Sequence, residues 1–464
     1  MLKKKSQLQK SSFLYRQEGR MQRNPALVII ISFVAVILTG TILLTMPFCS
    51  RDGRFTSFLS ALFTATSATC VTGLAVYDTY THFSTAGQSV ILCLIQIGGL
   101  GLVTMTSFFY MLIRRKVGLR TAQLAQESIS ADSRAETVRL LKMVMAVTFG
   151  TELIGCLLML PILVPEYGRY GIFMAVFLAI SAYCNAGFDV LASPLPGGSL
   201  SGVQDNYLLL TIIMLLIICG GLGFVVWQDL FAYHRRKSLR FHTRIVLIGT
   251  AALLLIGWVV FLLSEWGNPD TLGPMPLPKK LFHAFFQSVT CRTAGFTAFD
   301  QGKLHTGSKL FAVLLMFIGA APGSTGGGVK LTTVLVLFMT VVSVVRGDED
   351  TRILGRRIDK SLIYRSMAVC FLGVCIVLAT AGVLMTCSGA ETVDALYEAV
   401  SAFATVGLTA GVTEVTDVWS KLALILTMFM GRIGPVAFAM SLATRPRTPA
   451  SRLRREPEGK IWVA

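Results

Sequence analysis

Long uncharged apolar segments alternate with short polar segments along the chain. The apolar segments span residues 26–44, 84–113, 206–228, 245–264, 310–329 and 366–390. Each is long enough to cross the roughly 30 Å hydrocarbon core of a membrane as an α-helix. The pattern therefore predicts an all-α integral membrane protein.

Most of the 42 Lys and Arg residues fall in five clusters between these apolar segments. The clusters lie at residues 3–23, 114–142, 235–244, 346–365 and 445–460. Because cytoplasmic segments of membrane proteins are enriched in Lys and Arg, we expect all five on the cytoplasmic side. An even number of spans must then separate consecutive clusters. Two spans in each interval predict eight transmembrane helices, with both termini in the cytoplasm.

A shorter apolar piece of about 15 residues lies between the two spans of each interval. These pieces cover residues 56–70, 171–187, 281–291 and 395–405. They are too short to cross a membrane, and they suit re-entrant helices that enter and return on one side. Each piece is followed by, or ends near, one glycine of a repeated motif.

The four motif glycines are Gly73, Gly187, Gly295 and Gly407, about 110 residues apart. Self-similarity at a fixed period predicts four parallel repeats of span, re-entrant pore helix and span around a pseudo-fourfold central pore. The predicted boundaries are a cytoplasmic N-terminal tail at 1–24, pore repeats at 25–116, 117–237, 238–348 and 349–444, and a cytoplasmic C-terminal tail at 445–464.

Composition narrows the class of protein further. The chain is 53% hydrophobic and 14% charged, with a mean hydropathy of +0.66, which excludes an ordinary soluble enzyme. The net charge of +17 resides in short clusters between apolar runs, which is typical of a membrane protein and not of a nucleic-acid-binding protein. The ten cysteines are scattered and have no metal-ligand spacing, so we expect no disulfide, zinc or haem.

The repeated glycines suggest a chemistry for the pore. A glycine reaches φ > 0, which lets successive carbonyls turn toward an axis and replace the water shell of a cation. The negative C-terminal ends of the preceding short helices favour cations as well. The alternative is that the glycines only allow close helix packing. The predicted filter residues are Cys70, Val71, Thr72 and Gly73, then Cys184, Asn185, Ala186 and Gly187, then Arg292, Thr293, Ala294 and Gly295, and finally Ala404, Thr405, Val406 and Gly407.

Three of the glycines are followed within five residues by an aspartate, at Asp78, Asp189 and Asp300. At the outer mouth of a pore these carboxylates would attract cations. A solvated loop without this role is the alternative for each.

The second span of the third repeat is too long for one helix. It runs from residue 310 to residue 345, and as one helix it would be roughly 54 Å long at 1.5 Å per residue. Pro322 and several glycines lie in its middle, where they should break the helix. The break is interpreted as a mobile gate, with a static kink as the alternative, and Lys330 either holds the loop or extends to the membrane interface. The gate residues are Gly319, Pro322, Gly323, Ser324, Thr325, Gly326, Gly327, Gly328 and Lys330.

Arg432 follows ten uncharged residues in the last span. A charge at that depth is costly unless it faces water or a partner, so Arg432 is expected to face the pore. A structural ion pair is the alternative. Glu152 and Glu398 are two further intramembrane candidates, and the sequence spacing does not pair them with Arg292 or Arg432.

The motifs at residues 64–74, 185–189, 292–296 and 319–330 resemble those of the Trk/Ktr/HKT superfamily of potassium transporters, most closely its bacterial KtrB-type membrane subunits. The resemblance implies that the glycines form a potassium filter, that 319–328 is an intramembrane gating loop and that Arg432 is a barrier below the filter. Gly73 is intact, which in this superfamily favours potassium over sodium.

The resemblance also implies partners and a location. It implies a homodimer in the bacterial cytoplasmic membrane, docked on a cytosolic KtrA-like ring of RCK/KTN-type subunits that bind ATP or ADP. The basic segment 346–365 is a candidate docking surface, and contact with anionic lipid is the alternative. Potassium in the pore is the expected ion, with no cofactor in this chain. A less selective or sodium-translocating transporter is the alternative function, and sodium coupling stays open.

Overall fold

The computed structural model describes residues 25–101, 134–191, 200–413 and 416–435. This part of the chain contains fifteen α-helices. They are α1 (Pro25–Thr45), α2 (Phe58–Cys70), α3 (Thr79–His82), α4 (Thr85–Leu100), α5 (Arg134–Tyr167), α6 (Arg169–Cys184), α7 (Tyr207–Gly221), α8 (Phe224–Arg236), α9 (Phe241–Ser264), α10 (Leu277–Thr290), α11 (Thr306–Phe317), α12 (Leu331–Arg346), α13 (Lys360–Cys387), α14 (Thr392–Ala404) and α15 (Val418–Ile433).

Short polar side chains start many of these helices. Ser57 caps α2, Ser84 caps α4 and Asn206 caps α7, each by accepting a hydrogen bond from a backbone N–H of the first turn. Asp359 and Asp417 do the same for α13 and α15. Because the first N–H groups of a helix have no partner within it, these caps fix where each helix begins.

The helices form four groups in chain order. Each group contains a first helix, a short helix packed against it, and a returning helix that lies after a loop. The pairs of first and short helices are α1 with α2, α5 with α6, α9 with α10, and α13 with α14. The returning helices are α4, α7, α11 and α15.

The returning helix of each group packs on the short helix of the next group. Thus α4 contacts α6, α7 contacts α10, α11 contacts α14, and α15 contacts α2. The last contact joins the fourth group back to the first. The packing is therefore cyclic, with the four short helices inside it.

Burial follows this arrangement. The C-terminal turns of the short helices are buried, including the aromatic side chains of Phe63, Phe177, Phe286 and Phe403. The first helices instead expose large apolar side chains, such as Leu153 on α5 and Phe371 on α13. An apolar exterior around a packed interior suits a lipid environment.

Three described helical segments are long and apolar enough to cross a membrane. They are residues 141–167 of α5, and the helices α9 and α13. A fourth is the pair of α7 and most of α8, which meet at a bend of 94°. The count of eight spans stays a prediction, and so do the two predicted cytoplasmic tails, which lie outside the described residues.

A small antiparallel hairpin connects α12 to α13. Its strands are β1 (Arg352–Ile353) and β2 (Arg356–Arg357), with Arg352 opposite Arg357 and Ile353 opposite Arg356. The hairpin lies within the basic segment 346–365. It holds this segment in a fixed shape next to the start of α13.

Candidate functional site

Each of the four short helices is followed by the same backbone pattern. The motif glycine has a positive φ, between 70° and 95°, and so does the residue two positions before it. Those residues are Val71, Asn185, Thr293 and Thr405, with φ between 51° and 62°. A positive φ is unusual for valine or threonine and costs about 1–3 kcal/mol at each position. Asparagine tolerates this conformation, so the strain falls on Val71, Thr293 and Thr405, and the surrounding packing must impose it.

The four motif glycines meet in a closed ring. A Cβ on Gly73 would lie 2.5 Å from Ala186 O, and one on Gly187 would lie 2.8 Å from Ala294 O. A Cβ on Gly295 would lie 2.3 Å from Val406 O. One on Gly407 would lie 2.1 Å from Thr72 O, which returns to the first segment. We call these four glycines the glycine ring.

The geometry of the glycine ring leaves no room for a side chain at any member. Each glycine faces the carbonyl that precedes the next glycine, namely the carbonyl of Thr72, Ala186, Ala294 or Val406. The order around the ring is first, second, third and fourth repeat. The first and third segments therefore lie on opposite sides, as do the second and fourth.

Hydroxyl groups from the short helices hold the ring segments. Ser67 Oγ accepts a hydrogen bond of 3.1 Å from Gly73 N, and Ser401 Oγ accepts one of 3.1 Å from Gly407 N. Ser181 Oγ donates to Phe188 O at 2.5 Å, and Thr290 Oγ1 donates to Phe296 O at 2.6 Å. These residues were not among the sequence-predicted site residues. The sequence does contain a pattern that could have identified them: a serine lies six positions before the motif glycine in three of the four repeats.

Returning helices approach the ends of the short helices very closely. A Cβ on Gly98 would lie 2.0 Å from Thr69 O, one on Gly220 would lie 1.9 Å from Tyr183 O, and one on Gly431 would lie 1.8 Å from Phe403 O. Each of these carbonyls lies four residues before a ring glycine. Small residues on α4, α7 and α15 therefore let three of the four ring segments be clamped from behind.

The remaining predicted filter residues lie between these clamps and the ring. Cys70, Cys184 and Ala404 are buried last residues of α2, α6 and α14. The Cys184 side chain packs on Gly99 of α4, where a Cβ would lie 2.5 Å from its Sγ. The Asn185 amide, turned so that its nitrogen donates, reaches the carbonyls of Ala182, Tyr183 and Ile217.

A loop at residues 318–330 separates α11 from α12. Gly319 N donates to Val329 O at 2.8 Å, which closes the base of the loop. The loop then packs directly on the inner residues of the ring segments. A Cβ on Gly326 would lie 2.3 Å from Thr293 Oγ1, and one on Gly327 would lie 2.3 Å from Thr405 Oγ1. Gly328 lies against Ala404.

The break between α7 and α8 holds the other side of this loop. Ala321 N donates to Gly221 O at 3.1 Å, and Phe224 N donates to Gly323 O at 2.9 Å. A Cβ on Gly223 would lie 2.7 Å from Pro322 O. Within the loop, Ser324 Oγ donates to Ala321 O at 2.6 Å. Sequence analysis did not predict this second broken helix, although three glycines in the run 220–223 were its signal.

Arg432 joins three repeats. Its guanidinium donates to Thr325 O of the 318–330 loop and to Gly98 O of α4. A third contact, to Gly99 O, measures 3.4 Å. A side chain from the fourth repeat therefore contacts the first and the third repeats, which face each other across the ring. Thr325 Oγ1 also donates to Tyr183 O at 3.3 Å, which brings the second repeat into the same contact.

Two further cations bind carbonyls of the loop. Lys330 Nζ donates to Gly326 O at 2.5 Å, so its side chain turns back onto the loop. Arg292 is 7% exposed, and its Nη2 lies 3.4 Å from Gly319 O. Among the described residues neither side chain, nor Arg432, lies within 4.0 Å of a carboxylate. The loop is thus held by three basic side chains.

The buried glutamates have other partners. Glu152 accepts hydrogen bonds of 3.1 Å and 3.3 Å from the Gln96 amide. Glu398 accepts from Ala410 N at 3.2 Å and from Thr413 N at 3.1 Å. Neither glutamate is paired with Arg292 or Arg432 in the described part of the chain. Glu152 ties α5 to α4, and Glu398 ties α14 to the loop that follows it.

The three aspartates after the glycines cap turns. Asp78 Oδ1 accepts from Thr81 N at 2.7 Å, Asp189 Oδ1 from Leu191 N at 2.9 Å, and Asp300 Oδ1 from Gly302 N at 2.8 Å. These contacts order the loops that leave the ring.

Comparisons with known proteins identify the class. The family model TrkH, described as a cation transport protein, matches residues 6–447 of the chain. This match spans all four helix groups and the loop. The chain belongs to the TrkH family of cation transport proteins, which are membrane transporters and not enzymes.

Individual relatives place it within that family. The chain is 39% identical over 440 residues to Ktr system potassium uptake protein B of Bacillus subtilis (strain 168), covering 95% of this chain and 96% of the relative. It is 35% identical over 439 residues to potassium/sodium uptake protein NtpJ of Enterococcus hirae, covering 93% of this chain and 96% of the relative.

A solved structure shares the fold. The potassium transporter TrkH from Vibrio parahaemolyticus superimposes with a TM-score of 0.68 at 17% identity, covering 92% of this chain and 85% of that one. This likeness concerns the fold. The family predicted from the four motifs is confirmed.

Proposed function

We propose that the chain is the ion-translocating subunit of a Ktr-type potassium uptake system in the bacterial plasma membrane. The names of its relatives, a potassium uptake protein and a potassium/sodium uptake protein, support the ion class. The observation that carries the proposal is the closed glycine ring, in which each glycine faces a carbonyl of the next segment.

The ring acts by its backbone in this proposal. Four short helices end at it, and their C-terminal ends carry partial negative charge. Carbonyl oxygens of the ring segments replace the water molecules around a potassium ion, which lets the ion enter an apolar protein at low cost. The eight predicted spans and the cytoplasmic termini belong to the same proposal.

The 318–330 loop and Arg432 form the gate. The loop packs on Thr293 and Thr405 at the inner end of the ring segments, and Arg432 bridges it to α4. A guanidinium on the axis repels cations and blocks their way. Deletion of residues 323–328 is expected to raise potassium flux through the isolated protein, and unchanged flux would make the loop a static kink.

Growth on low potassium tests the function in cells. The chain is expressed in a bacterial strain that lacks its own potassium uptake, beside the variants Gly295→Ala and Gly347→Ala. Both glycines have a positive φ, +79° and +76°, but only Gly295 has a carbonyl within 3 Å of the added Cβ. The parent and Gly347→Ala should support growth, and Gly295→Ala should not. Equal growth of all three would contradict the ring as the ion path.

Sodium transport is a second candidate function. The residues before the ring glycines are not all alike: they are Thr72, Ala186, Ala294 and Val406. Unequal segments favour fewer well-formed ion sites than four identical ones would give. Uptake of radioactive rubidium in the presence of sodium separates selective potassium transport from sodium transport. Strong inhibition of rubidium uptake by sodium would favour the less selective transporter. Acceleration of rubidium uptake by sodium would favour sodium coupling.

The partners are a second copy of the chain and a cytosolic KtrA-like ring of RCK/KTN-type subunits that bind ATP or ADP. The basic hairpin between α12 and α13 follows the helix that emerges from the loop. This makes segment 346–365 a candidate surface through which the cytosolic regulatory subunits move the 318–330 loop. Reversal of charge at Arg356 and Arg357 should weaken co-purification with such a ring. Unchanged co-purification would leave these arginines as topology or lipid-contact residues.

A further inference from the structure

The Arg292 side chain lies outside the ring that its own backbone helps to build. Its guanidinium points to the base of the 318–330 loop, where Nη2 faces Gly319 O at 3.4 Å. The second terminal nitrogen, Nη1, is buried and has no hydrogen-bond partner among the described residues. An unsatisfied donor on a buried charged group is costly, so this atom requires a partner.

A small cavity lies next to Arg292. Its volume is about 10 Å³, and its lining includes Arg292, Thr250 of α9 and Ala320 of the loop. Thr250 is 9% exposed, and its hydroxyl also has no partner among the described residues. The rest of the lining is mostly apolar and comes from α7, α9 and α10.

A cavity of this size holds one water when two or more polar groups face it. Arg292 Nη1 can only donate, and the Thr250 hydroxyl can donate or accept. One water satisfies both. A larger occupant does not fit without movement of the lining.

We propose that a single ordered water in this cavity bridges Arg292 to Thr250, and that Arg292 is a positioning residue of the 318–330 loop. The bridge fixes the guanidinium on α9, and its free nitrogen then holds the Gly319 carbonyl. In this way the third filter segment, the first helix of its repeat and the base of the loop are tied together. The role of Arg292 in gating rests on the proposed function, whereas the water site does not.

The water site is tested by a high-resolution cryo-EM map of the full chain in lipid nanodiscs. We expect one density peak within hydrogen-bond distance of the Arg292 guanidinium and Thr250 Oγ1, and its loss in Thr250→Val. Thr243→Val is the matched control, because Thr243 is also buried on α9 with an unpartnered hydroxyl but does not line the cavity. An empty cavity in the parent, or a peak that persists in Thr250→Val, would overturn the proposal.

Potassium flux through the isolated protein in liposomes tests the positioning role. Arg292→Met should raise flux roughly threefold or more with the potassium over sodium ratio unchanged, and Thr250→Val should act in the same direction. Arg292→Lys should restore part of the closed state, and Thr243→Val should behave as the parent. A changed ion ratio at unchanged flux would assign Arg292 to the filter and overturn its loop role. If no variant carries potassium, the proposed function fails while the water peak still decides the site.

Discussion

The glycine ring and the 318–330 loop lie against each other but are held by different kinds of contact. The ring is held by steric fit: each glycine is enclosed by backbone atoms of the next segment, and Gly98, Gly220 and Gly431 press on the helices behind it. The loop packs on side-chain hydroxyls of the ring segments, those of Thr293 and Thr405. It is held there by a few hydrogen bonds, several of them from Arg432, Lys330 and Arg292 to its carbonyls.

This difference indicates that the 318–330 loop can move more easily than the glycine ring. A backbone fit of four interlocking segments has no alternative arrangement that keeps the same contacts. A carbonyl held by a long cationic side chain can exchange that donor for water, at a cost of about 1.5–3 kcal/mol for each such hydrogen bond. The proposal of a rigid filter and a mobile gate follows from this contrast, and variants of each region should fail in different ways.

Gly407→Ala should have the largest effect. The added Cβ would lie 2.1 Å from Thr72 O and 2.9 Å from Gly73 Cα, with φ at +95°. Backbone atoms cannot give way here, so the ring should distort and potassium flux in liposomes should fall about a hundredfold or more. Gly411→Ala is the control, because it has φ of +93° with nothing within 4 Å of the added Cβ. Similar losses in both variants would refute the steric argument for the ring.

Arg432→Gln should act in the opposite direction. Loss of the guanidinium removes its contacts with the Thr325 and Gly98 carbonyls and removes a positive charge near the axis. Flux through the isolated protein should rise about tenfold, which corresponds to roughly 1.4 kcal/mol. Arg432→Lys retains the charge and should give a smaller rise. Flux that falls in the Gln variant would mean that Arg432 supports the pathway rather than blocks it.

Ser401→Ala should weaken one ring segment moderately. The Ser401 hydroxyl accepts a 3.1 Å hydrogen bond from Gly407 N, and the loss of one buried bond costs about 1 kcal/mol. Potassium selectivity over sodium should drop severalfold, without the rise in flux expected for Arg432→Gln. Ser89→Ala, on an exposed face of α4, serves as control. An increase in flux in Ser401→Ala, like that expected for Arg432→Gln, would contradict the assignment of separate roles to the glycine ring and the 318–330 loop.

Replacement of Asp417 should have the smallest effect, a change in how stability depends on pH. Hydrogen bonds from Ser420 and from backbone N–H groups of the first turn of α15 lower the pKa of its carboxyl. The stabilisation is present above the unfolded pKa of about 4 and is lost as the pH falls through the lower folded value. Asp417→Asn keeps the cap but does not titrate.

The thermal unfolding of the purified protein at pH 7 and at acid pH reports this cap. The parent should lose slightly more Tm on acidification than Asp417→Asn, with flux at pH 7 equal in both. An equal loss of Tm would show that the cap does not contribute, and a change in flux would connect the start of α15 to Arg432 at its other end.

The four ring positions could be predicted from the sequence because a site with no room for a side chain requires glycine. Only glycine fits where φ is positive and a neighbouring backbone is in contact, so four similar motifs marked four equivalent positions. The interruption at 319–330 left a comparable signature in Pro322 and the glycines. The role of each predicted filter and gate residue remains a prediction.

The contacts of the loop were not accessible in the same way. Arg432, Lys330 and Arg292 all bind backbone carbonyls, and carbonyls occur at every residue and leave no pattern. The bend between α7 and α8 was missed because the uncharged apolar segment 206–228 continues across it, so the hydropathy pattern did not show it. The partner of Glu152, Gln96, lies on another helix and becomes adjacent only through tertiary packing.

The central claim is that the glycine ring selects the ion, and Gly73→Ser tests it most directly. Purified protein in liposomes is assayed for potassium, rubidium and sodium flux, with Gly411→Ser as the control for positive φ alone. A Cβ on Gly73 would lie 2.5 Å from Ala186 O, which is a less severe contact than the 2.1 Å between a Cβ on Gly407 and Thr72 O. The ring should therefore widen at Gly73 and still conduct, whereas Gly407→Ala should block it. We predict potassium and rubidium flux in the parent and in Gly411→Ser, with sodium flux appearing only in Gly73→Ser. Sodium discrimination that is the same in all three proteins would contradict the account.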